Sequence, residues 1–479
     1  MGRDIGTSRF SPEDFKLFAQ RLRDETLLLK GWLRNAELSA APARIGYELE
    51  ASLVDADCWP APRCADLLER LGEPAIGHEL ARFNMEINGS PSWLAQAPFT
   101  AMQAELGGHW NHCCTVADGL GLRPLMVGTL PTCRPSDLEL ESMSPLHRYR
   151  ALNEQVLRLR NRRPLQVDIA RGDEAVRLSR EDVMLEAAST SLQLHLQLTT
   201  DNAVACFNAA MIMSAATVAV AANSPWLFGH ALWEESRIPL VEQAVAADPA
   251  DVRRGIGSLC RVGFGSGYAR DALYQLFVEN RQHFPVLLPM LSDEPPERLA
   301  HLSLHNSTIW RWNRPVVGFD EDGRCHLRLE HRVMASGPTV VDVVANAVFF
   351  HGLVQACLVR ERPLESEIPF ASAERNFYRA ARNGLAAEVE WLGGVRVPLR
   401  KLLLESLIPK ARRGLEQLGL PGSEYRPWLD IIEARVRTGR TGAAWQRAWA
   451  NRHGRDMQGL VAAYLQRQST GSPVHEWGL

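Results

Sequence analysis

Glu48 and Glu50 stand two residues apart in Arg44–Asp55, a stretch that reads as a strand. Side chains of a strand alternate between faces, so both carboxylates point one way and Leu49 and Leu53 the other. Three later stretches repeat the pattern. In 81–91, Asn84, Glu86 and Asn88 share one face, with Phe83, Met85 and Ile87 opposite. In 192–198, Gln193, His195 and Gln197 alternate with four leucines. In 326–333, Arg328, Glu330 and Arg332 line up against Leu327 and Leu329. Carboxylates and amides are hard oxygen ligands suited to Mg²⁺, and arginine forks match polyphosphate oxygens.

Taken together, Glu48, Glu50, Glu79, Glu86 and Glu330 would crowd one small volume if these strands form one sheet. Without cations their repulsion raises pKa values and costs stability; two or three Mg²⁺ ions relieve it, with amides or His195 filling the coordination. Glu48-x-Glu50 alone describes a solvated sheet face at least as well. Four strands with the same inventory favour the site. Arg328 and Arg332 beside Glu330 suit a transferring phosphoryl group or, equally, an ion-pair ladder. Upstream, His305, Ser307, Trp310, Arg311 and Arg314 fall within 301–315. They read either as a base-stacking, phosphate-touching segment or as a core aromatic pair with surface arginines.

The elements that must carry these residues follow from pattern. Ser11-Pro-Glu-Asp14 opens a helix over 11–34, with Ser11 as cap and Asp14 completing a capping box. Helices are expected at 64–71, 99–120, 146–160, 203–222, 271–284 and 340–359, and strands at 124–130 and 165–169. Gly77 marks a turn into the second acid-bearing strand. From about Leu364 strand signals stop, and helices are expected over 371–391, 400–418 and 425–438. The expectation is an α+β body over residues 1–363 and a helical region over 364–479 packed on it.

A chain of 479 residues with 46% apolar and 23% charged residues is of soluble globular type. Its net charge of −3 gives no reason to expect a nucleic acid or an anionic membrane as partner. Nine cysteines, without a Cys-x-x-Cys pair, fit reduced thiols, and the polar N-terminus fits a cytoplasmic protein. The run 203–222 is almost continuously apolar and about long enough to span a bilayer, yet its small residues and lack of flanking cations suit a helix buried against a sheet. Gly263-Phe-Gly-Ser-Gly267 lacks the spacing of a dinucleotide loop, and His109, His112, Cys113 and Cys114 lack a second pair for zinc.

Several pieces occur in a fixed order: Gly46-Tyr-Glu-Leu-Glu50, Phe83-Asn-Met-Glu-Ile-Asn-Gly-Ser-Pro91, the His195 strand, Asn223-Ser-Pro225, Ser307-Thr-Ile-Trp310 and Leu329-Glu-His-Arg332. This ordered set, over about residues 40–385, resembles the glutamate–cysteine ligase-like proteins, which include bacterial carboxylate–amine ligases. The resemblance implies a glutamine synthetase-like core, with a curved, mainly antiparallel sheet flanked by helices. It also implies ATP- and Mg²⁺-dependent activation of a carboxylate as an acyl phosphate, then attack by an amine, releasing ADP and phosphate. By that resemblance Glu48, Glu50, Glu79, Glu86 and Glu330 are metal ligands, and His195 is a ligand or phosphate contact. Arg332 touches phosphate, and Arg237 holds the substrate carboxylate. Arg328, Arg314 and Trp310 are expected at the nucleotide. Glutamate is the default acid, the amine is open, and a homo-oligomer is compatible. The alternatives are a catalytically silent nucleotide- or metal-binding regulator of the same fold, and a phosphotransferase acting on a guanidino or amine group.

Overall fold

The computed structural model describes residues 4–247 and 259–479. At its centre one curled antiparallel sheet runs in the order Asn313–Phe319, Cys325–Ala335, Ser191–Leu198, Arg44–Val54, Asn84–Asn88, Ile76–His78. Short strands Ser92–Trp93 and Arg123–Leu125 also pair with Arg44–Val54. The four expected acid-, amide- and arginine-bearing strands are therefore neighbours, although up to about 270 residues separate them in the chain.

Alternation explains the sheet's two faces. Leu192, Leu194, Leu196 and Leu198 are all buried, each worth roughly 1.5–3 kcal/mol on leaving water. They share their side with Leu327 and Leu329, and the helix Ala203–Val220 packs across that side. Behind it runs the helix Val340–Leu358, packed on the first. His331 marks the junction: its ring accepts or donates at Thr217 Oγ1 at 3.0 Å and stacks on Phe350 with centroids 4.1 Å apart. Both helices are long and apolar enough to cross a membrane, but 89% and 72% of their windows are buried within the protein.

The N-terminal helix Pro12–Arg34 begins as expected, with Ser11 N–H donating to the Asp14 carboxylate at 2.7 Å and the Asp14 N–H to Ser11 Oγ at 3.2 Å. Other expectations need correction. Gly77 lies inside the strand Ile76–His78, opposite Glu86, not in a turn. Of the strand expected over 124–130, only Pro124 and Leu125 pair in the sheet, with Leu53 and Ser52, and Thr129 forms an isolated bridge with Ser189. Beyond Leu125 the backbone leaves the sheet, because Met126 N–H bonds Gln468 and Gly128 N–H bonds the Asn223 carbonyl. The strand Leu165–Arg171 has a charged partner, Glu174–Arg180, that no alternation announced. The helix expected over 371–391 ends at Asn383, where Gly384 takes φ +56°, and Glu388–Glu390 pairs with Arg396–Pro398 as a small hairpin.

Helices Ile408–Gln417 and Gly422–Thr438 pack on Val340–Leu358. The buried Arg435 guanidinium joins them by donating to Asp342 at 2.7 Å and to the Val220 carbonyl at 3.1 Å. Glu424 accepts from the Phe99 and Thr100 N–H groups at 3.2 and 3.1 Å, at the start of the helix Pro98–Asp118. A buried pair of this kind fixes register between helices more than it adds stability.

Candidate active site

The register brings the expected ligands onto one face as a diagonal band. Glu330 lies opposite both Arg314 and His195; Glu48 lies between Gln193 and Asn88; Glu50 faces Glu86. Two groups of three result. Glu48, His195 and Glu330 can each point one ligand atom into a volume whose atoms lie within 4.8 Å of one another, and so can Glu50, Glu79 and Glu86. Glu79 reaches the second group from just beyond the strand Ile76–His78, its carboxylate accepting the Leu80 N–H at 3.0 Å.

Electrostatics separates the two groups. Burial pushes Glu86 well above the ordinary carboxylate range, and the charges of Glu48 and Glu79 push the same way. Burial and Glu186 carry Glu50 up to about 6, against Arg332 and the Ser191 hydrogen bonds. Burial and Glu50 carry Glu79 up to about 7. In the other group burial also works upward but loses: Arg314 and Arg332 bring Glu330 down to about 2, and His195 holds Glu48 well below its usual value. A carboxyl triplet that resists ionisation on its own is a site poised for cations.

The fit to a metal rests on His195. Its Nε2 stands 3.3 Å from a Glu48 oxygen, and its buried Nδ1 has no hydrogen-bond partner. Imidazole in that state is a ligand donor lacking its acceptor. Among arginines, Arg314 grips Glu330 through Nε and, at 3.1 Å, through Nη2. Arg332 donates to Glu330 at 3.2 Å and to the Gln193 amide oxygen. Burial works to lower Arg332, and the charges of Glu330, Glu50 and Glu48 outweigh it, keeping it cationic. Arg328 faces the same side, opposite Gln197, with its Nε buried and unbonded.

Arg237 is only 2% exposed and donates to the Val333 carbonyl at 2.5 Å, with Glu235 3.5 Å away. A substrate carboxylate reaching it has to compete with those partners. Trp310 is half-buried in a short parallel pairing of Trp310–Arg311 with Val262–Gly263, beside the main sheet. Of the two readings of 301–315, the surface-arginine one fails, since Arg311 is buried against Glu279 and Arg314 against Glu330. The core half of that reading holds for Trp312, which donates to Glu242 at 2.8 Å, and His305 is buried on the Asn280 carbonyl.

Sequence reasoning missed Glu186. Burial and the Glu79 charge push its carboxyl up to about 7, against the pull of Arg332 and Arg237, so it belongs to the same electrostatic cluster. It sits on the single turn Met184–Ala188, where no period exists to expose it. Gln193 was visible only as one polar residue among others. It donates to Glu50 at 2.9 Å and accepts from Arg332, tying the two carboxylate groups together.

No protein with a curated description matches this chain by sequence. Among solved structures, a glutamate–cysteine ligase from Francisella tularensis, in complex with AMP, superposes with a TM-score of 0.54 at 13% identity, covering 92% of this chain and 96% of its own. That likeness shows the fold. A bifunctional glutathione synthetase from Pasteurella multocida gives a TM-score of 0.49 at 11% identity, with 93% of this chain matched to 55% of that one. The family model of glutamate-cysteine ligase family 2 matches residues 44–468 and so takes in every strand of the acid-bearing sheet. The chain belongs to glutamate-cysteine ligase family 2, a family of ATP-dependent carboxylate–amine ligases.

Proposed function

We propose that the protein joins a small carboxylate to an amine through an acyl phosphate, using ATP and Mg²⁺ and releasing ADP and phosphate. The observation that carries this reading is the pair of three-residue ligand groups on one sheet face, flanked by Arg314, Arg332 and Arg328. In this reading Glu48, His195 and Glu330 hold one cation and Glu50, Glu79 and Glu86 another. Bound cations supply neutralisation of the triphosphate's charge.

The chain's own residues do the rest. Arg332 is aimed at the moving phosphoryl group, and Gln193 fixes its orientation by accepting from it. Arg314 holds Glu330 ionised and in place for its ligand role. Arg328, with its unbonded Nε, is offered to a phosphate, and half-buried Trp310 to the nucleotide base. Arg237 receives the substrate carboxylate, for which glutamate is the default. A carboxylate repels nucleophiles until one oxygen becomes a leaving group, which is what phosphorylation achieves. The buried face then limits hydrolysis of the acyl phosphate before the amine arrives. In this reading residues 1–363 form the catalytic unit and 364–479 a helical region that backs it.

ADP release from purified protein with a panel of amino acids and amines tests the reading. A ligase requires an acid and an amine together with Mg²⁺. Release with a single acceptor means a phosphotransferase, and no release under any pairing means a silent binding protein; either result rejects the ligase.

A further inference from the structure

Across the sheet from the carboxylates, on its helix-covered side, a cavity of about 180 Å³ opens where the helices Val340–Leu358 and Ile408–Gln417 meet. The first of these helices touches the sheet's apolar side through Phe350 and His331, so the sheet and a helical layer stand between this cavity and the acid band. The walls are of two kinds. Met213, Leu353 and Trp391 supply an apolar interior, whereas Arg360, Lys410 and Arg413 supply a cationic rim.

The rim carries more positive charge than its neighbours neutralise. Arg360 is shared with Glu367 at 2.6 Å, and Glu365 is committed to the Asn208 amide at 2.9 Å. Among the described residues Lys410 and Arg413 enter no ion pair. Burial, followed by the charge of Arg360, already pushes Lys410 below its ordinary value. A half-buried ammonium beside an apolar hollow gains from any anion that can join it there.

Volume narrows the chemistry. A dry apolar cavity of about 150 Å³ is the size that accepts one benzene ring. A cavity of about 180 Å³ leaves room for that ring and one small polar group at the rim. We propose that this cavity binds a monocyclic aromatic carboxylate of the benzoate class, its ring against Trp391, Met213 and Leu353 and its carboxylate between Lys410 and Arg413. Nothing in the ligase reading uses these residues, so the two stand or fall separately.

The test compares benzoate with benzamide, its neutral isostere, on the full chain, by calorimetric titration and ligand-observed NMR. Benzoate is expected to bind about tenfold or more tighter than benzamide, the effect of charge-assisted hydrogen bonds. That preference is expected to vanish in Lys410→Gln/Arg413→Gln, whose melting temperature reports that it folds. The wild-type comparison needs no variant and is decisive if the double variant does not fold. Failure of benzoate to bind at millimolar concentration, equal binding of both compounds, or an undiminished preference in a folded double variant overturns the proposal. None of these readouts involves ADP release.

Discussion

Glu50 and Glu86 face each other across two antiparallel strands, and Glu79 closes the same group from outside the ladder, with ligand oxygens within 4.8 Å of one another. Like charges directly opposed in a sheet are destabilising. In the proposed reading bound cations neutralise this arrangement, and its cost in their absence is measurable.

Stability without cations should fall as pH rises. Burial first, then neighbouring carboxylates, lift Glu50 and Glu79 from 4.5 to about 6 and about 7, so the folded chain holds protons that the unfolded chain has lost. Their stabilisation is complete below the unfolded value and disappears as pH climbs through about 6 to about 7. Mg²⁺ replaces those protons, so the gap in melting temperature between Mg²⁺ and chelator should widen from about pH 5 to about pH 8. Glu330 behaves oppositely: its carboxyl is lowered from 4.5 to about 2, so its contribution is present above the unfolded value and is lost as pH falls from there through about 2. A gap that stays constant with pH would sink the two-group cation site.

Glu86→Gln should separate catalysis from folding. The substitution puts a neutral amide of the same shape where burial and neighbouring carboxylates oppose ionisation, so the cation-free protein should melt no lower than wild type. Its Mg²⁺-dependent stabilisation should shrink, and ADP release should drop by about 100-fold or more. Full activity in this variant would remove Glu86 from the site.

The fold was legible where alternation was strong. Leucines at 192, 194, 196 and 198 and the acids at 48 and 50 specify both strand and face, and the sheet places them as neighbours. What failed lacked a period. Glu174–Arg180 reads as charge because neither of its faces is strongly apolar, and the three-residue strands at 388 and 396 are too short for any pattern. Glu186 sits on a 3₁₀ turn, and its role appears only through proximity to Glu79 and Arg332. Residue type alone also left 301–315 undecided, since an arginine that binds phosphate and one that grips a buried glutamate look identical in sequence. Arg311 does the second, with Glu279.

Removing Asp342 should loosen the C-terminal helices before it touches the sheet. Its carboxylate accepts from Arg435 at 2.7 Å, from Thr339 Oγ1 at 2.8 Å and from the Val474 N–H at 3.1 Å, all buried. Asp342→Ala leaves a buried guanidinium unpaired, at a cost of about 3–5 kcal/mol in urea denaturation. Proteolysis should then cut first within residues 422–479. Wild-type protease resistance there would mean that Arg435 is not the joint between the layers.

Glycine substitutions should change sign with location. At Gly414 a Cβ would lie 2.4 Å from the Gly352 carbonyl oxygen and 2.6 Å from the Ala356 nitrogen; at Gly352 it would lie 2.7 Å from the Ala411 carbonyl oxygen. These neighbours are backbone, so the helices Val340–Leu358 and Ile408–Gln417 must part to admit a methyl group. Gly414→Ala should therefore cost about 1–3 kcal/mol, at the upper end of overpacking because nothing flexible can yield. At Gly107, inside the helix Pro98–Asp118, nothing lies within 4 Å of the added carbon. There the same change only reduces the entropy of the unfolded chain and should stabilise by about 0.5–1 kcal/mol. Denaturation midpoints of the two variants moving in the same direction would show that the helix crossing is looser than these distances require.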